Sequence, residues 1–230
     1  MEAVKRQGSP SVGLKSKTHA VVVGLQRASS SLSSYQKKIF DVDEHIGISI
    51  SGLTADARVL CKWLRTECLN YRYVYEGEAI VGRLVKKLAD KHQTNTQRYG
   101  RRPYGVGLLI VGYDTLGPHL YETDPSGNYF DFKAQSVGAR SQSARTYLEK
   151  HFQSFENASR EDLIRHGLRA LRECLTEKKN EKDKEPDTLD EENCSVGIVG
   201  KDEKFTVLTK EQLRHYLDTL DKEPETMEVV

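Results

Sequence analysis

The residue types able to do chemistry gather in four places. Arg98, Arg101 and Arg102 are interleaved with Tyr99 and Tyr104, a mixture that can neutralise phosphates and stack on bases. No RNP-type run accompanies it, and the formal net charge of +1 gives no global pull toward nucleic acid. A contact with another protein subunit is the expected use of this cluster. His45 stands beside Asp41, Asp43 and Glu44. Oxygen-rich loops bind hard cations, but this spacing fits no ligand loop, and a solvated turn is expected. Gly105-Val106-Gly107 is a fragment of a dinucleotide loop without its third glycine. The four cysteines, Cys61, Cys68, Cys174 and Cys194, form no CxxC pair; buried free thiols of a reducing compartment are expected. No metal, cofactor or nucleic-acid partner is expected.

The elements that must position these residues are legible in order. The organising stretch runs from Tyr99 to Asp114: basic and turn-like at first, then apolar from Val106 to Val111 apart from Gly107. That run predicts a strand buried on both faces. Upstream, Ser11–Lys15 and Ala20–Leu25 read as strands, followed by Lys38–Phe40 and by Ile46–Ser51. The last alternates cleanly, which predicts one buried face. Thr54 is the expected N-cap of a helix carrying Leu60, Cys61, Leu64 and Cys68, with Asp56 in its first turn. A second helix is expected from about Glu78 to His92.

Downstream, Leu120–Asp124 and Tyr129–Phe132 flank a Pro125-Ser126-Gly127-Asn128 turn, and a strand at Ala134–Ser136 ends at Gly138. Two helices follow, one with Ala144, Tyr147, Leu148, Phe152 and Phe155 on its face, the other starting at Ser159 and carrying Leu163 to Leu175. Ser195–Val199 and Lys204–Leu208 make a last hairpin. Thr209 and Gln212 form a capping box for a helix ending at Leu220.

Strands and helices come in runs rather than strict alternation, which argues for antiparallel sheets covered by helix layers. The 230 residues are read as one domain over 1–220, an exposed charged insertion at 177–193 and a flexible tail at 221–230. No apolar run reaches the roughly 18 residues of a membrane span. The first residues lack the apolar core of a signal peptide. A soluble intracellular protein is expected.

Several stretches carry a resemblance. Met1–Lys5 before Gly8, Val12–Lys15, Ser51-Gly52-Leu53-Thr54-Ala55-Asp56-Ala57-Arg58 and Arg102-Pro103-Tyr104-Gly105-Val106 are together similar to alpha-type subunits of the proteasome core particle. Gly138–Ala144 resembles the alpha type-1 (alpha-6) branch. The resemblance runs from residue 1 to about 208. It implies an α+β fold: the four-layer helix–sheet–sheet–helix sandwich of N-terminal-nucleophile hydrolases. It also implies a place in a seven-membered outer ring, with neighbouring alpha subunits, beta-ring subunits and activators or the regulatory particle as partners. The setting would be ubiquitin-dependent proteolysis in cytoplasm and nucleus. A gating tail and most of a first helix would normally precede residue 1.

The same resemblance bears on catalysis. Active relatives use an N-terminal threonine whose own amino group is the base. Ser9 stands at the matching place, Gln26 where those relatives carry an aspartate, and Ala139 where they carry a serine; only Lys38 matches their catalytic set. The implied reading is a non-catalytic subunit. The alternative is a free-standing Ntn-type hydrolase with Ser9 as nucleophile. In similar alpha rings the lysine matching Lys38 accepts the C-terminal carboxylate of an activator tail, with Gly8 offering backbone and Leu53 an apolar wall. An ammonium suits a carboxylate there through a charge-assisted hydrogen bond.

Overall fold

The computed structural model describes residues 8–28, 32–176 and 188–222. Ten strands form two five-stranded antiparallel sheets. The first is built from β1 (Ser11–Lys15), β2 (His19–Leu25), β8 (Ala134–Val137), β9 (Cys194–Gly200) and β10 (Glu203–Val207), in the order β10-β9-β2-β1-β8. The second is built from β3 (Ile39–Asp43), β4 (Ile46–Gly52), β5 (Val106–Asp114), β6 (Gly117–Thr123) and β7 (Tyr129–Asp131), in sequence order. Helices α1 (Thr54–Tyr75) and α2 (Val81–Gln97) cover the second sheet. Helices α3 (Ser141–Phe155), α4 (Arg160–Thr176) and α5 (Lys210–Lys222) cover the first.

Three apolar layers hold this stack together. Val21, Val23 and Leu25 of β2 face Leu163, Leu168 and Leu171 of α4. Ile46, Ile48 and Ile50 of β4 face Leu60, Leu64 and Cys68 of α1. Between the sheets lie Ala20 and Val22 from β2, Leu109 and Val111 from β5, Leu120 and Phe205. Period-two alternation sends alternate residues of one strand to different layers. The four-layer sandwich expected from the sequence is the fold observed.

β4 departs from its expected single buried face, because Ile46 to Ser51 are all buried. Its small residues, Gly47, Ser49 and Ser51, turn toward the other sheet rather than to water. Ser49 Oγ lies 2.8 Å from Ser11 Oγ across the gap. The strands at Ile39 and Val106 also run further than expected, to Asp43 and Asp114. Phe152, expected in the core, is 45% exposed. Ala144, Leu148 and Phe155 define the buried face of α3, and Phe152 sits at its margin beneath the Lys133 ammonium.

The helix ends depart from expectation for tertiary reasons. Leu53, not Thr54, occupies the N-cap of α1, with no side-chain cap; the Thr54 hydroxyl donates to Gln36 Oε1 instead, at 3.3 Å. The helix continues past Cys68 to Tyr75, held by Arg65 on Asp41 and Arg72 on Asp43 rather than by core burial. It stops where Glu76 turns left-handed and donates its N–H to Arg72 O. α2 begins at Val81, later than Glu78, because Asp114 of β5 accepts the Val81 N–H at 3.0 Å. This is an N-cap supplied from another element.

His45, expected in a solvated turn, is buried, with Nε2 2.8 Å from Ala79 O. The capping box is present: Thr209 N–H donates to Gln212 Oε1 at 3.0 Å, and Gln212 N–H to Thr209 Oγ1. Of the stretch expected to be exposed at 177–193, residues 177–187 lie outside the described residues. Residues 188–193 form a folded turn, with Asn193 buried and its Nδ2 on Thr188 O. Residues 1–7 and most of the tail, 223–230, also lie outside the described residues.

Candidate functional site

The candidate site is assembled from the starts of two strands and one helix. Lys38 immediately precedes β3, and its carbonyl accepts the Ile50 N–H of β4 at 3.2 Å. Its aliphatic stem lies over Gly24 of β2, where a Cβ would come within 3.1 Å of Lys38 Cδ. The side chain therefore runs inward, and Lys38 is only 3% exposed. Its Nζ donates to the Ser9 carbonyl oxygen and, at 2.5 Å, to Ser9 Oγ. Burial lowers the amine's pKa well below the lysine range. The Arg27 guanidinium adds to that, against a smaller opposite effect of the Cys174 thiol.

Gly8 is buried beside this contact. A Cβ there would overlap Ser51 Oγ and approach Gly52 N at 2.6 Å, so only glycine fits. Its carbonyl accepts the Ala139 N–H at 2.7 Å. Ser51 and Gly52 lead directly into Leu53, which is 55% exposed. Leu53 is positioned by its N–H on Gly105 O at 2.8 Å and by its side chain against Gly105. Lys38, Gly8 and Leu53 are thus linked through a chain of contacts: the Lys38 amine to Ser9, Gly8 to Ser51 and Gly52, and Gly52 on to the exposed Leu53. The three share one neighbourhood: an amine buried under Ser9, a glycine with no room for a side chain, and an exposed apolar side chain at Leu53.

Asp56 fixes the Leu53 end of this neighbourhood. Its two oxygens take Arg102 NH1 and NH2 at 2.6 and 2.7 Å, and Oδ2 also takes the Gly105 N–H at 2.8 Å. The Arg102 hydrogen bonds hold the Asp56 carboxyl below its usual range, against the opposing effect of burial. A depressed carboxylate stabilises the fold above its unfolded pKa of about 3.9. That contribution disappears as pH falls through the folded value. Arg102 is 66% exposed, so water screens the pair and the effect is about 1 kcal/mol. Asp56→Asn should therefore lower the urea midpoint at neutral pH, and the gap to the parent protein should close below about pH 4. A gap that persists unchanged into acid would show that Asp56 acts by packing alone.

The remaining candidates separate from this site. Arg101 reaches Asn95 Oδ1 at 3.3 Å while Tyr99 is fully exposed, so only Arg102 of the basic cluster is committed to Asp56. The four cysteines are free and buried, with the Cys68 and Cys194 thiols pushed up to about 12 by burial. Among the described residues, no group of three or more His, Cys, Asp or Glu could hold a metal ion. Sequence reasoning missed Arg27 and Cys174 as neighbours of Lys38, since neither stands in a motif.

A model of the proteasome subunit family matches residues 5–185. The chain belongs to the proteasome subunit family. It is similar to the proteasome subunit alpha type-1 of Dictyostelium discoideum, 59% identical over 223 residues, covering 97% of this chain and 87% of that protein. The alpha type-1 subunit of Drosophila melanogaster is 51% identical, over 94% of this chain and 75% of that one. A probable alpha type-6 subunit of Schizosaccharomyces pombe is 51% identical, over 97% and 79%. The similarity is thus to alpha-type members, as the residues around Ser51–Arg58 and Gly138–Ala144 led one to expect.

Proposed function

We propose that this alpha-type proteasome subunit works without a peptidase site of its own and presents a pocket for activator tails. Alpha-type relatives over nearly the whole chain make it a structural subunit of the outer ring, associated with other proteasome subunits. The non-catalytic reading rests on one observation above all: Ser9 is joined by a peptide bond to a Gly8 that is packed into the fold. Gly8 is buried between Ser51, Gly52 and Ala139. Its removal would be needed to free the amine that an N-terminal nucleophile uses as base. Gln26 and Ala139 supply neither carboxylate nor hydroxyl at the places where active relatives have them. Lys38, Gly8 and Leu53 are the residues assigned to the tail pocket, in cooperation with a neighbouring subunit. The expected compartments are cytoplasm and nucleus; no helix of the described residues is long and apolar enough to cross a membrane.

The test is to express the tagged chain, isolate what it binds and weigh the assembly by native mass spectrometry. A particle of alpha and beta subunits, with Gly8 still attached to Ser9, is the expected result. A solitary chain that begins at Ser9 and reacts there with a nucleophile-directed inhibitor would instead establish the hydrolase.

A further inference from the structure

We propose that a carboxylate entering the Lys38 pocket is bound together with a proton, so that tail docking is proton-coupled. The inference rests on the reading of Lys38 as the tail-binding residue. The geometry that carries it is that, among the described residues, no counter-anion contacts the amine. Lys38 is closed off from water, and among the described residues its Nζ hydrogen-bonds to a carbonyl and a hydroxyl, both from Ser9.

The elements packed around the amine bring little to neutralise an ammonium. β2 contributes Gly24, with Arg27, a second cation, just beyond its end. β4 contributes the Ser49 hydroxyl, which lies against the same Gly24. α4 contributes the Cys174 thiol. That thiol is pushed up to about 11 by burial, so near neutrality it carries no charge. An ammonium closed off from water, with no anion among its contacts in the described residues, is disfavoured first by desolvation, to which Arg27 adds a smaller effect. Burial without an anion therefore shifts the amine toward its neutral form.

An arriving carboxylate reverses both effects. It brings the missing negative charge and accepts the hydrogen bond that Ser9 holds in the empty state, so the occupied pocket favours the ammonium. Docking then takes up a proton from solvent wherever the pH lies between the pKa of the empty pocket and that of the occupied one. In that window affinity falls by about tenfold for each unit rise in pH. Arg27 cannot substitute in this role, since guanidinium stays protonated throughout.

The experiment uses assembled particles and a short peptide copied from the carboxyl end of an activator subunit, with either a free or an amidated terminus. Calorimetry in two buffers of different ionisation enthalpy counts protons, and fluorescence anisotropy from about pH 6 to about pH 9 gives the affinity profile. Expected are uptake of up to about one proton for the free peptide, a falling affinity as pH rises, and loss of both in Lys38→Met particles. Binding that depends on Lys38 and on the free carboxylate, yet takes up no proton and is flat with pH, overturns the coupling while leaving the pocket in place. Equal binding of the amidated peptide, or binding untouched by Lys38→Met, overturns the pocket and the coupling together.

Discussion

Gly47→Ala should destabilise the fold by about 3 kcal/mol, at the upper end of what overpacking a core costs. Gly47 lies on the face of β4 that looks at the other sheet, and a Cβ there would overlap Phe205 Cε2 and Cζ. The same ring also covers Gly197 of β9, where a Cβ would stand 2.8 Å from Phe205 Cζ. Two glycines, one in each sheet, thus leave the space the phenyl ring fills. The ring cannot retreat easily, because the Phe205 N–H is fixed on Glu44 O at 2.6 Å and Ile39 Cγ2 also borders the space over Gly197. Adding a methyl group must push the ring off its rotamer or part the sheets. The reduced freedom of the unfolded alanine chain returns only about 0.4–1 kcal/mol. A double-mutant cycle in urea checks the cause. In a Phe205→Leu background, where the edge of the ring is gone, the same alanine should cost less than about 1 kcal/mol. An equal loss in both backgrounds would mean that something other than the ring occupies the space.

Lys38→Met should separate function from stability. Methionine matches the stem that crosses Gly24 and removes only the amine. Folding the native chain brings a lysine from an unfolded pKa near 10.4 to a buried site where it is lowered, and each unit of that shift opposes folding by about 1.4 kcal/mol. The sign follows directly: the unfolded chain binds the proton more tightly, so this lysine costs stability at neutral pH and stops doing so only as pH rises toward its unfolded value. The methionine variant should therefore unfold at the same urea concentration or a higher one, despite losing the Ser9 hydrogen bonds. Tail binding should weaken by about 10- to 100-fold, the range for a hydrogen bond to a charged group. Anisotropy with the free-carboxylate peptide measures it, and the amidated peptide should show no further loss. A destabilised variant, or one whose tail affinity is unchanged, contradicts the assignment.

The sequence by itself determined a good deal of this protein. Valine-rich β2, isoleucine-rich β4 and the apolar Val106–Val111 run can only be buried strands. Their order among three groups of helical stripes leaves little choice but two sheets between helix layers, as observed. The capping box at Thr209 and Gln212 was legible because both partners lie within one turn. The family, too, was readable in short stretches such as Ser51–Arg58, where glycine, leucine and aspartate each have a local job.

What only the tertiary structure decided depends on partners far apart in the chain. The start of α2 is set by Asp114, 33 residues away, which no local propensity can report. The small residues of β4 looked solvent-facing by alternation, because a glycine or serine pattern does not distinguish water from a second sheet. Lys38, beside Lys37 in the sequence, also reads as an ordinary surface lysine at a strand start. Its burial, and the guanidinium and thiol that act on it, follow from β2, β3, β4 and α4 closing around one amine. The charge state of a group is fixed by what surrounds it in space, and the sequence names those groups without saying that they meet.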